Sequence, residues 1–126
     1  MATVFTNVGK QITTGRIKGV GSGAGATEPN YVAWGTGAGT AAVTDTTLFT
    51  ETGSRTAGTS TQQTTSTTND TYQVIGTLSA AGSVTITNAG LFDAASTGNL
   101  YMKGDFTGVA LTSGESIQFT MKVQYS

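Results

Sequence analysis

The stretch SIQFTMKVQYS (116–126) decides the fold class. Ile117, Phe119, Met121, Val123 and Tyr125 alternate with Gln118, Thr120, Lys122, Gln124 and Ser126. Side chains of a strand point alternately to opposite faces, so an apolar set with a period of two marks a half-buried β-strand. Moving back along the chain, Thr112–Glu115 reads as a turn, and Leu100, Met102 and Phe106 share one strand face. AASTGN (94–99) is another turn. Val84 and Ile86 alternate with Thr85 and Thr87; Asn88, Ala89 and Gly90 are expected to break this strand before Leu91 and Phe92 resume it. AAGS (80–83) separates it from a strand with Tyr72, Val74, Gly76 and Leu78 on one face.

The first half is less regular. YVAW (31–34) is rich in strand formers and ends at Gly35, where a glycine-rich loop, GTGAGTAAVTDTT (35–47), begins. AVTDTTLFTE (42–51) allows one helical turn at most. The tract TAGTSTQQTTSTTND (56–70) carries no large apolar residue; threonine branching favours an edge strand followed by a loop. Threonine (27), glycine (18) and alanine (14) dominate the composition, whereas Val, Ile, Leu and Phe together number 24 of 126. Glycine and threonine are weak helix formers and suit short strands joined by tight turns. No segment shows sustained 3.6 periodicity, so essentially no helix is expected.

Residues 1–29 differ from the rest. Lys10, Arg16 and Lys18 are their only basic residues and Glu28 their only acid, although the whole chain has a net charge of −1. Val4, Phe5, Val8, Ile12, Ile17 and Val20 recur too often for a solvated tail, and a glycine run follows at 19–25. This reads as an extended arm with a short strand around Val4–Val8, one that docks on a partner. The fold expected is therefore an all-β, antiparallel β-sandwich, jelly-roll-like, with an extended N-terminal arm: residues 1–28 form the arm and 29–126 a single β-sandwich domain. Its expected core is Val32, Trp34, Val74, Leu78, Val84, Ile86, Leu91, Phe92, Leu100, Met102, Phe106, Ile117, Phe119, Met121 and Val123. A chain beginning near Glu28 is then expected to unfold at nearly the same temperature as the whole.

Composition also narrows the chemistry. The chain has neither histidine nor cysteine. That disfavours Ser-His-Asp and Cys-His catalysis, ordinary zinc sites, His- or Cys-ligated haem, iron–sulfur clusters and disulfides. No cofactor is expected. The charge gives no sign of nucleic-acid binding, no stretch approaches a membrane helix, and the N-terminus lacks the apolar core of a signal peptide. Asp93, Asp105 and Glu115 fall at turns. Two of them could act as glycosidase carboxylates or as calcium ligands, but turn aspartates more often bond their own backbone. GTGAGT (35–40) and GVGSGAG (19–25) resemble phosphate loops only superficially, because no helix opens after GTGAGT and the phosphate-binding lysine is absent. Trp34, Tyr31, Tyr72 and Tyr101 could form a sugar-binding platform, or Trp34 could belong to the core or an interface.

Two segments carry a family resemblance. PNYVAWGTGAGTAAVTDTTLFTETGSR (29–55) combines an aromatic strand, a glycine-rich loop, a DTTL turn, Glu51 and Arg55. VTITNAGLFDAASTGNLYMKGDFTGVALTSGESIQFTMKVQYS (84–126) runs from an AGLFDA step through a GNL hairpin to the closing strand. Together they resemble small structural proteins of tailed bacteriophages, of the head-decoration or cement type or the tail-fibre type. The resemblance implies a non-enzymatic virion protein that binds the major capsid protein on the capsid exterior and assembles in the host cytoplasm. It implies self-association, with a homotrimer favoured over a homodimer. The capsid-binding arm residues would be Val4, Phe5, Val8, Lys10, Ile12, Arg16, Ile17 and Lys18. The alternative is a receptor- or carbohydrate-binding module of a tail or head fibre; exposed aromatic side chains in a groove would favour it, and buried ones the cement role.

Overall fold

The computed structural model describes residues 2–19 and 27–126. In chain order the elements are β1 (Thr3–Phe5), α1 (Asn7–Lys18), β2 (Tyr31–Gly35), β3 (Glu51–Ala57), β4 (Thr59–Gln63), β5 (Thr71–Ser79), β6 (Val84–Phe92), β7 (Leu100–Leu111) and β8 (Ser116–Gln124). The strands build two antiparallel sheets, one of five strands in the order β1-β7-β6-β2-β3 and one of three in the order β4-β5-β8. β5 and β8 pair without interruption from Thr71–Gln124 to Ser79–Ser116. The polar tract at 56–70 divides as expected, into the end of β3, the edge strand β4 and a loop.

The inward faces of the two sheets meet in one hydrophobic cluster: Val32, Trp34, Ile86, Leu91 and Met102 from the larger sheet, Val74, Leu78, Met121 and Val123 from the smaller. Trp34 is 4% exposed and packs edge-on against Phe119 at 6.4 Å between ring centroids. Of the expected core, Val84, Phe106, Ile117 and Phe119 are only half-buried, packed around the rim of this cluster. A second cluster joins Ala33, Phe92 and Leu100 of the larger sheet to Leu48 of the loop between β2 and β3. Trp34→Ala should cost about 3–5 kcal/mol by cavity formation, and Phe119→Ala less because part of that ring is already in water. Urea unfolding midpoints of the two variants measure the difference.

The N-terminal segment departs from the sequence reading. It is no extended arm, and the protein is not free of helix. β1 covers only Thr3–Phe5 and pairs with β7 at Gly104, Lys103 and Met102. Val8, expected in a strand, lies in α1 instead. Thr6 starts this helix: it is fully buried, its hydroxyl accepts from the Gly9 N–H at 2.9 Å and donates to the Leu100 carbonyl at 2.6 Å. Gly19, in the left-handed region at φ 81°, ends it. Arg16 and Lys18 in the last turn face the negative end of the helix dipole. The buried face is Gly9, Ile12 and Gly15. A Cβ at Gly9 would lie 2.2 Å from the Tyr101 carbonyl oxygen. Gly9, a residue type that argues against a helix, is thus what lets this one approach the β7 backbone. Val20 and the glycine run beyond Gly19 lie outside the described residues.

β6 is also continuous, against the expected break at Asn88–Gly90. The pairing with β7 shifts register between Ile86 and Asn88, and the strand carries on through Phe92. Asn88 is fully buried; its side chain accepts from the Phe49 N–H and donates to the Phe49 carbonyl, both at 3.0 Å. It pairs with the loop backbone as another peptide group would, which is why a polar residue sits inside this strand.

Candidate functional site

The eight residues expected to bind a partner split into two groups. Val4, Phe5 and Val8 are half-buried and Ile12 is 1% exposed, so these hold β1 and α1 to the sheets. Lys10, Arg16, Ile17 and Lys18 are exposed, Ile17 to 82%. By helical periodicity Lys10 and Lys18 share with Ile17 the side of α1 away from Ile12 and form a basic face with an apolar side chain in it, while Arg16 lies beside Ile12 at the border of that face.

Beside that face runs a groove of about 530 Å³. α1 contributes Ile12, Thr13, Arg16 and Ile17, while Tyr72, Tyr101 and Tyr125 form the opposite side with Glu28 and Pro29. Phe5 backs the tyrosines, 5.0 Å from the Tyr101 ring and 6.0 Å from Tyr125. The Thr13 hydroxyl lies 3.2 Å from that of Tyr125, which is itself in short contact with the Tyr101 hydroxyl. Tyr72 donates to Glu28 Oε1 at 3.2 Å and to the Pro29 carbonyl at 3.0 Å. Burial raises the pKa of Tyr72, as does the nearby Glu28 charge; burial likewise raises Tyr101. Both are neutral phenols, and Tyr72 serves as a hydrogen-bond donor.

The aromatic platform considered from sequence does not assemble. Trp34 is in the core, and Tyr31 packs against the second cluster. Tyr72 and Tyr101 do meet, at 5.9 Å, but their third partner is Tyr125, 41% exposed, which sequence reasoning had placed only on a strand face. No local signal could have found it, because the grouping joins residues from β5, β7 and the end of β8.

Of the carboxylates considered for catalysis or calcium, Asp93 and Glu115 each close a turn, whereas Asp105, expected at a turn, lies within β7 opposite Asn88 and ties that strand to the loop at Ala41. Asp93 accepts from the Asn99 N–H at 2.6 Å and from its side-chain amide at 2.9 Å. Asp105 accepts from the Ala41 N–H at 2.7 Å. Glu115 accepts from the Thr112 N–H at 2.6 Å and its hydroxyl at 2.8 Å. Backbone N–H donors are the leading reason that Asp105 and Glu115 titrate below the ordinary carboxylate range. Among the described residues no group of three or more acidic side chains is placed to hold a metal ion. The GTGAGT loop is packed rather than loose: a Cβ at Gly35 would meet the Phe49 carbonyl oxygen at 2.3 Å, one at Gly39 the Phe49 ring at 2.6 Å and one at Gly37 the Phe49 carbonyl carbon at 2.9 Å.

Residues 29–55 and 84–126 lock onto each other. Arg55, its side chain 7% exposed, forks onto Glu51 at 2.8 and 3.1 Å. It also donates to the carbonyls of Ala94 and Thr97 at 2.8 and 2.7 Å and lies 3.5 Å from the Phe92 ring centre. Asp45 of the DTTL turn pairs with Lys103 of the second segment at 2.9 Å. These contacts are tertiary fasteners that fix the loops of this face. No protein-family model matches the chain, and no curated protein or solved structure is significantly similar to it.

Proposed function

We propose that this chain is a non-enzymatic virion structural protein of a tailed phage, a decoration protein that cements the capsid by binding the major capsid protein on the exterior. The observation that carries this reading is the division of the N-terminal segment: Ile12 is fixed in the core while Lys10, Ile17 and Lys18 face outward and Arg16 is exposed at the edge of the groove. A pre-formed helix presents those side chains at less ordering cost than a loose arm would. The threonine- and glycine-rich body agrees with a role that rests on surface complementarity. Further parts of the proposal are assembly in the host cytoplasm and self-association as a trimer. We also read the two sheets as a jelly-roll-like sandwich, since β5–β8 and β6–β7 nest as successive pairs of one folded ribbon.

The test uses purified particles. Lys10→Glu with Lys18→Glu should weaken capsid binding most at low salt, where the Debye length is long, and Ile17→Asp should weaken it at every salt concentration. All three positions are exposed, so thermal unfolding should hardly move. Undiminished binding by all of these variants would place the attachment elsewhere. The second reading, a carbohydrate- or receptor-binding module, draws on the tyrosine groove, where Tyr125 is exposed and flanked by Arg16 and Glu28. Glycan binding abolished by Tyr125→Ala, with no retention on capsids, would favour it.

A further inference from the structure

β8 is the outer strand of the three-stranded sheet, and its far edge is unpaired among the described residues. The direction of its backbone groups follows from two hydrogen bonds that extend the β5 ladder. The Tyr125 N–H donates to the Asp70 carbonyl at 2.8 Å, and the Glu115 carbonyl accepts from the Ala80 N–H at 2.7 Å. Both residues are odd-numbered and turn towards β5. In an antiparallel ladder the alternate residues turn away, so Ser116, Gln118, Thr120, Lys122 and Gln124 aim their N–H and C=O groups outward. The ladder behind them has no register shift. β8 contains neither proline nor glycine, and Lys122 is its only ionised side chain. Apart from that lysine, the devices that usually blunt an edge are missing.

The larger sheet projects past this edge. A trough of about 350 Å³ runs beside β8, floored by residues of β1 and β7, among them Thr3, Met102 and Phe106, and walled by Phe119, Met121 and Lys122. Phe106 and Phe119, both half-buried, touch at 6.2 Å along it. An extended strand supplies what this edge lacks, a row of complementary N–H and C=O groups with alternate side chains turned into the trough. We propose that the free edge of β8 and the trough beside it are a strand-addition site for an extended segment of another polypeptide. That segment would pair with the outward groups, lay every second, apolar side chain onto Met102, Phe106 and Phe119, and carry a carboxylate on its solvent face opposite Lys122. This inference does not depend on the phage reading.

The probe is a nine-residue synthetic peptide alternating valine with threonine and glutamate, titrated into the isotopically labelled full chain. The amides of Gln118, Thr120 and Lys122 should shift and gain protection from hydrogen exchange. In antiparallel addition the threonine and glutamate N–H groups face β8. N-methylation of those residues should abolish binding, while N-methylation of the valines should leave it. Thr120→Pro removes an outward N–H without touching the β5 ladder, and should weaken the peptide roughly tenfold or more. Lys122→Glu should weaken it as well. Selective sensitivity to one N-methylation set supports strand addition, and because it is read on the wild-type chain it holds even if Thr120→Pro fails to fold. Equal effects of both sets, no shifts on β8, or shifts centred on α1 and the tyrosine groove would overturn it.

Discussion

A chain begun at Glu28 will lose much of its stability, and the urea midpoint will fall accordingly. The deletion removes Ile12 from the core, the Thr6 hydroxyl from the Leu100 carbonyl, and β1 from the edge of β7. Loss of a buried isoleucine alone costs about 2–5 kcal/mol, against about 5–15 kcal/mol for a whole domain. The newly uncovered surface includes Tyr101 and Met102, 3% and 6% exposed in the intact fold. Two point variants separate this from a general effect of shortening. Ile12→Ala should cost about 2–5 kcal/mol, whereas Ile17→Ala should stay within about 0.5 kcal/mol of wild type. The physical difference is position on one helix, since Ile12 is 1% and Ile17 82% exposed. An unchanged midpoint for the shortened chain would mean that β1 and α1 contribute nothing to the fold.

The second large effect is expected at Asp45. Its carboxylate accepts from Lys103 Nζ at 2.9 Å, and the same ammonium donates to the Thr47 carbonyl at 2.9 Å and sits 3.3 Å from the Phe49 ring centre. The Lys103 side chain is 1% exposed but that of Asp45 is 23% exposed, so the two partners are not equivalent. Asp45→Ala strands a buried ammonium and should cost about 3 kcal/mol or more, the range for a broken buried pair. Lys103→Met keeps the apolar stem and removes the charge, and leaves Asp45 able to reach water; it should cost clearly less. A double-mutant cycle read by urea unfolding gives the coupling, and the reverse order of costs would show that the charge is not what the pocket holds. The pH dependence has a definite sign. The hydrogen bond from Lys103 is the leading cause holding Asp45 below its ordinary pKa of 3.8. A group depressed in the folded state contributes stability above its ordinary pKa and loses it as pH falls through the lower folded value. Wild type should therefore lose stability relative to Asp45→Ala below about pH 4.

The β class, the strands from β5 to β8 and most of the core were legible in the sequence, because alternation is a local signal and one buried face imposes it residue by residue. Ile117 to Val123 needed no tertiary knowledge to be assigned. The helix was not legible. Its buried face consists of Gly9, Ile12 and Gly15, and glycine enters a helix at a cost unless something must approach closely, which here is the Tyr101 carbonyl. Asn88 looked like a break for a similar reason: a buried amide is unfavourable until a loop backbone supplies both partners. The candidate site shows the same division. The sequence singled out Lys10, Arg16, Ile17 and Lys18 by charge and spacing, but could not say that Ile12 faces the core while Ile17, five residues on, faces solvent. Nor could it bring Tyr72, Tyr101 and Tyr125 to one groove, or leave the edge of β8 open beside a wider sheet. Periodicity and composition act between neighbours in the chain and were determined by the sequence alone. Which backbone approaches which, which charge is buried and which edge lacks a partner depend on contacts between residues as far apart as Thr6 and Leu100, and only the folded chain decides them.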